Sequence, residues 1–330
     1  MKGERGLYPR NSSIPQTWGP IPYVVKTNSF GFRGEEFAFR KPNGTVRIAA
    51  IGDSVTDGFF VENEGTYPTI LQKKLNKQHR VEVLNAAFGG GSIDKQLLIL
   101  KEIVLPLKPD MVLLTFVTND IWDIRDKNRD QLVYVRLKEP GTTRFVKWFL
   151  TKTALGEALF DGYMRIQSRS YRGSSRNTVS TFSGKERYQL EGGKNFSENS
   201  KKFNEKFGGK DGIVLNEPFS SKTTELIDNY LFAFRQFHNV CRSNNIRLAF
   251  LYFPSYSQIY DPGSSFKIRD MMASACVDRK VPFLDLTEAL RTKGKAQVLH
   301  LAPIDFHLNP AGNEVMAEAI AQFLQDQKLL

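Results

Sequence analysis

The chain has 330 residues, 41% of them hydrophobic, and a formal net charge of +11. That is enough apolar sequence for one large α/β domain or two small ones; Cys241 and Cys276 show neither metal-site nor CxxC spacing, so they read as small core residues on helices and exclude a disulfide-stapled scaffold. The basic balance admits nucleic acid, anionic lipid or an acidic surface as partners, but charge bears on association rather than chemistry, and nucleic acid is not expected.

Residues 1 to about 45 are rich in Pro, Gly, Asn and aromatics, as in Tyr8-Pro9 and Trp18-Gly19-Pro20, and hold no helical period. They read as an extended arm, with a hairpin at 28–34. From 46 onward the chain reads as one hydrolase-sized domain, 46–330, in which strands and helices alternate. Val46 to Ile51 is a short β-branched run, a strand. Thr66 to Gln78 carries a helical stripe, Val81 to Leu84 is a strand, Ile93 to Leu105 a helix ended by Pro106, and Asp110 to Phe116 a buried strand. The rhythm then breaks from about 121 to 222, an insertion. Its first part, with Phe145, Trp148, Phe149 and Leu150, reads as amphipathic helix; the rest, about 165 to 222, is too polar to own a core and reads as a lid or a structureless segment. Alternation resumes with a helix at 224–244, a strand at 246–253, a helix at 263–279, a strand at 282–284, a helix starting at Asp285-Leu-Thr-Glu288 and a closing helix to Gln325. Such alternation predicts an α/β fold: a flavodoxin-like, doubly wound parallel sheet of about five strands in three α/β/α layers. No apolar run reaches membrane-spanning length and the first residues lack a signal-peptide core. The chain is therefore expected to be soluble as it stands, with an extracytoplasmic setting open to it were an anchor removed.

In a parallel sheet the C-terminal ends of all strands share one edge, where functional groups gather. Gly52-Asp53-Ser54 follows the first strand and places Ser54 like a nucleophile. Position 55 is Val55, so this is not an Asp-x-Asp phosphatase site; no lysine follows, so it is not a Walker loop; and the Gly-x-Ser-x-Gly elbow is not met. Alone, Asp53 and Ser54 would only cap a helix. Three more segments reach the same edge: Gly89 to Gly91, Val117-Thr118-Asn119, and Asp305-Phe306-His307. A serine needs a base, which His307 supplies, and Asp305 can hold the imidazole. The oxyanion of acyl transfer needs fixed donors, and the backbone N–H groups of Ser54 and Gly90 with the Asn119 amide provide three. Of the four histidines, His79, His238 and His300 fall on expected helix surfaces or on loops away from the strand edge. No cluster of His, Asp or Glu has metal-ligand spacing, and no cofactor is implied.

These blocks resemble the SGNH/GDSL hydrolase superfamily of esterases, lipases, acetyl-esterases and related acyltransferases, over about 28–120 and 225–327. The blocks are Ile51-Gly-Asp-Ser-Val-Thr-Asp-Gly58, Leu84-Asn-Ala-Ala-Phe-Gly-Gly90, Val117-Thr-Asn-Asp120 and Asp305-Phe-His-Leu-Asn-Pro-Ala-Gly312. The resemblance implies Ser54 as nucleophile, Gly90 and Asn119 as oxyanion donors, and Asp305 and His307 as orienter and base. Three positions depart from the family pattern: Val117 stands in place of the glycine of Gly-x-Asn-Asp, Ala87 in place of the glycine of Asn-x-Gly, and Asp-x-His replaces Asp-x-x-His, with Ile304 where the acid would be. The expected activity is a serine esterase or deacylase acting on an O-acyl group, acetyl first, on a carbohydrate or lipid. An O-acyltransferase to a sugar hydroxyl and an inactive binder of acidic glycan or membrane surface are the alternatives.

Overall fold

The computed structural model describes residues 7–16, 21–124, 195–207, 211–302 and 305–330. The expected amphipathic helix around Phe145 to Phe160 lies outside the described residues. Two strands, β1 (Ser13–Gln16) and β2 (Tyr23–Lys26), form an antiparallel pair near the N-terminus. The other five, β3 (Val46–Ile51), β4 (Val81–Asn85), β5 (Met111–Phe116), β6 (Arg247–Tyr252) and β7 (Phe283–Asp285), form one parallel sheet in the order β4-β3-β5-β6-β7. The first sheet strand in sequence therefore lies one place in from the edge, the order the doubly wound reading requires.

Side chains alternate faces along these strands, and both faces are buried. Ala49, Ile51, Val112, Leu114, Phe116, Phe250 and Tyr252 enter one core, under α3 (Ile93–Ile99), α6 (Ser221–Ser243) and α8 (Lys267–Val277). Ile48, Ala50, Met111, Leu113, Ala249 and Leu251 enter the other, under α2 (Tyr67–Leu75), α9 (Thr287–Gly294) and α10 (Pro310–Asp326). Both cysteines are buried and free in the first core.

Three differences from the sequence reading have physical causes. The helix beginning at Ile93 stays α-helical only to Ile99, then widens over Leu100–Val104 and tightens over Leu105–Leu107; Pro106 has no N–H to continue the ladder. In the arm the two-stranded ladder lies upstream of the expected hairpin. At 28–34 the chain turns around the Asn28 side chain, whose Oδ1 accepts the Phe30 and Phe32 N–H groups, both at 3.0 Å, and Thr27 bridges Arg33. Finally, the polar stretch read as structureless contains a helix, α5 (Phe196–Phe207). It packs Phe203 against Phe306 and Tyr256, at 5.1 and 6.3 Å between ring centroids, and stacks Phe196 on Tyr260 at 4.3 Å. Few apolar residues sufficed because they land on aromatics supplied by other segments. No helix of the described residues is long and apolar enough to cross a membrane.

Candidate active site

Strand β3 is followed by Gly52, where a Cβ would lie 2.3 Å from Thr56 Oγ1 and 3.1 Å from Thr115 Cβ. Only glycine allows the chain to turn there. Asp53 then caps a single helical turn, α1 (Ser54–Asp57), accepting the Val55 N–H at 3.0 Å, and Gly58 closes it in the left-handed region at φ 85°. Ser54 is the first residue of that turn, so its N–H has no intrahelical acceptor and its hydroxyl stands at the sheet edge.

The late loop brings the partner. Asp305 Oδ1 accepts the His307 backbone N–H at 2.9 Å and lies 2.6 Å from the ring Nδ1. The carboxylate folds back onto the residue two positions on, an Asx-type turn that makes the short Asp-x-His spacing workable. With a carboxylate as obligate acceptor, Nδ1 carries the proton and Nε2 the lone pair. Nε2 lies 2.8 Å from Ser54 Oγ. Directly after this loop Asn309 caps α10 through the Gly312 N–H at 2.9 Å, fixing His307 at the root of a long helix.

Burial alone would lower the proton affinity of His307. The charge of Asp305, its hydrogen bond and the more distant Asp53 outweigh this and raise the pKa above the usual imidazole value. Burial pushes Asp305 upward, but His307 outweighs it and holds the carboxyl below its usual range. Asp53 goes the other way: burial raises it, opposed by the Val55 N–H, His307 and the Asn119 amide.

Asn119 opens a short helix, α4 (Asn119–Asp123), and its amide donates to Asp53 at 3.3 Å and Asp123 at 3.1 Å. Gly90 is exposed, sits at φ 76°, and its N–H has no acceptor among the described residues. Ser54, His307 and Asp305 form a continuous hydrogen-bonded line, and Asp53 extends it to Asn119, its Oδ2 accepting from Ser54 Oγ at 3.4 Å and from the Asn119 amide at 3.3 Å.

Sequence reasoning missed several neighbours. The rings of Phe59 and Phe60 stand 5.5 and 5.4 Å from that of His307. Phe59 also lies where a Gly89 side chain would be, 2.0 Å from the ideal Cβ, which is why that position is glycine. His300 corrects the reading that put it on a surface or outlying loop. It is only 2% exposed, lies beside the site, and its ring meets those of Tyr256 and Tyr260. Its cover is the pair of rings on the short helix Tyr256–Tyr260, which nothing near His300 in the sequence announces.

A hydroxyl, an imidazole and a carboxylate in line at the edge of a doubly wound sheet define a serine hydrolase, and the activity is cleavage of ester bonds. Residues 50–164 match the GDSL-like Lipase/Acylhydrolase family. No curated protein matches the chain. Among solved structures it is similar to an alpha/beta hydrolase enzyme from the metagenome of Lake Arreo, Spain, at 13% identity and TM-score 0.47, covering 85% of this chain and 95% of that one. It is also similar to a catalytic mutant of an acetylxylan esterase from Geobacillus stearothermophilus, at 13% identity and TM-score 0.45, covering 84% and 94%.

Proposed function

We propose that Ser54 is the nucleophile of an esterase that removes a small O-acyl group, acetyl first, from a carbohydrate hydroxyl. The observation that carries the reading is the line from Ser54 Oγ to His307 Nε2, 2.8 Å, and from His307 Nδ1 to Asp305, 2.6 Å. Ser54 Oγ attacks the acyl carbon while its proton passes to Nε2, and Asp305 stabilises the imidazolium that forms. The carbonyl oxygen becomes an oxyanion held by the N–H groups of Ser54 and Gly90 and the amide of Asn119. The amide makes resting bonds to Asp53 and Asp123 and would exchange one of them for the oxyanion. His307 returns its proton to the leaving alcohol oxygen. Water, deprotonated by the same imidazole, then attacks the acyl-enzyme and releases the acid and Ser54.

Two features favour a short acyl group on a sugar. Phe59 and Phe60 stand against the base, and Phe59 fills the space over Gly89, which leaves little room for a long chain. Phe59, Phe88 and Tyr8 are half-buried, and aromatic rings are the kind of surface on which the C–H face of a sugar packs. The test is hydrolysis of p-nitrophenyl acetate, butyrate and octanoate and acetate release from acetylated xylo-oligosaccharides. Acetate should be the best chain length, the oligosaccharide should release acetate, and Ser54→Ala should remove every activity. A preference for octanoate, or no release from the oligosaccharide, would contradict the substrate; activity surviving in Ser54→Ala would contradict the nucleophile.

A further inference from the structure

One buried network is left unused by this reading. Asp57, at the end of the turn that begins with Ser54, is fully buried. Its Oδ2 accepts the Gly89 N–H at 3.1 Å and also the phenol of Tyr8. Its backbone oxygen accepts Arg33 Nη1 at 2.7 Å and the Asn85 amide at 3.3 Å. Arg33 is itself buried. It also donates to Gly58 O at 2.7 Å, to Val61 O and to Asn63 Oδ1 at 2.9 Å, and its Nη1 lies 3.8 Å from Asp57 Oδ1. Tyr8 is held in turn by its N–H on Gly31 O at 3.0 Å, and its ring lies 5.1 Å from that of Phe88.

We propose that Asp57 is a positioning residue for the oxyanion loop, and that the N-terminal segment, through Tyr8 and Arg33, is part of that device. The inference rests on the reading of Ser54 and Gly90 given above. Gly89, Gly90 and Gly91 form the most freely rotating kind of tripeptide, so an unanchored loop would spread the Gly90 N–H over many directions. Asp57 binds the N–H just before it and fixes where the next amide points. Because Asp57 and Ser54 share one helical turn, the same carboxylate sets the loop's distance from the nucleophile. Arg33 ties down the backbone on both sides of Gly58, and Tyr8 completes the Oδ2 shell. Burial raises the Asp57 carboxyl pKa, with Arg33, Tyr8 and Gly89 acting to lower it, so these partners also favour the charged acceptor.

The experiment compares Asp57→Ala, Asp57→Asn, Tyr8→Phe and Ser54→Ala in the full chain, with kinetics on p-nitrophenyl acetate and thermal melts on the same preparations. Asparagine keeps an oxygen for the Gly89 N–H but loses the charge facing Arg33; alanine loses both. Asp57→Ala should lower kcat on the order of 10²-fold at unchanged KM, the cost of a group about 1 Å out of place. Asp57→Asn should recover most of kcat while melting early like alanine, and Tyr8→Phe should show a smaller fall in kcat. Activity would then follow the acceptor and not the melting temperature. Asparagine as slow as alanine, or folded Asp57→Ala with wild-type kcat, would overturn the proposal. Should the alanine variant not fold, Tyr8→Phe decides, and an unchanged kcat there overturns it. Ser54→Ala separates the two failures: if it is dead while the other variants are fully active, only the positioning role falls; if it still turns over, the site reading falls too.

Discussion

His300 and His307 belong to one loop, whose ends bridge at His300 and Leu308, yet they have opposite proton affinities. Among the described residues the His300 ring has only the Tyr260 phenol, 3.4 Å from Nδ1, and its buried Nε2 has no hydrogen-bond partner. Burial, and then the neighbouring charge of His307, bring its pKa down to about 3. His307 feels the same burial, but Asp305 reverses its effect. The difference teaches that a carboxylate at the ring nitrogen, and not placement at the sheet edge, raises a histidine's proton affinity here.

The comparison is broken most severely by His307→Ala or Ser54→Ala, each expected to lower kcat by about 10⁶ in a folded protein, against no loss of kcat in His300→Phe. Steady-state rates and melts on the three variants check this. Next comes Asp305→Asn, expected to cost about 10⁴ in kcat by offering His307 the wrong tautomer. The pH profile sharpens it. His307 must be neutral to accept the proton, so activity rises with pH through its raised pKa, and the acid limb of kcat/KM lies above the ordinary value near about 6.5. In Asp305→Asn that limb should move to lower pH. Asn119→Ala is expected to lower kcat by about 10² to 10³ with KM unchanged; loss of stability with full specific activity would make Asn119 a helix-end residue only.

The smallest effect is on stability and has opposite signs at the two rings. The lowered pKa of His300 means its contribution is present above about 6.5 and is lost as pH falls from there toward about 3. The raised pKa of His307 means its contribution is present below about 6.5 and is lost as pH rises through the folded value. Acid unfolding of His300→Phe should therefore set in at lower pH than that of the wild type, and chemical denaturation at stepped pH measures it.

His307 follows no strand and stands on the loop before the last helix, but the positions of Ser54, Gly90 and Asn119 at the sheet edge were legible because each follows a strand whose apolar pattern is plain, and parallel strands share one edge. The five strands and their order were legible for the same reason. Asp57, Arg33 and Tyr8 were not: Tyr8 meets Asp57 across 49 positions, and no local pattern encodes that contact. Nor was α5, whose polar sequence acquires a buried face through Tyr256, Tyr260 and Phe306, with Leu215 and Ala302 in the same cluster.

The central claim, that His307 and not His300 activates Ser54, is tested most directly by labelling with a fluorophosphonate at stepped pH, read by intact mass and peptide mapping. The account predicts one adduct, on Ser54, forming at a rate that rises through a single ionisation above the usual histidine value. That rate should be unchanged in His300→Phe and lost in His307→Ala. An adduct on another residue, or a rate that follows His300, would contradict it.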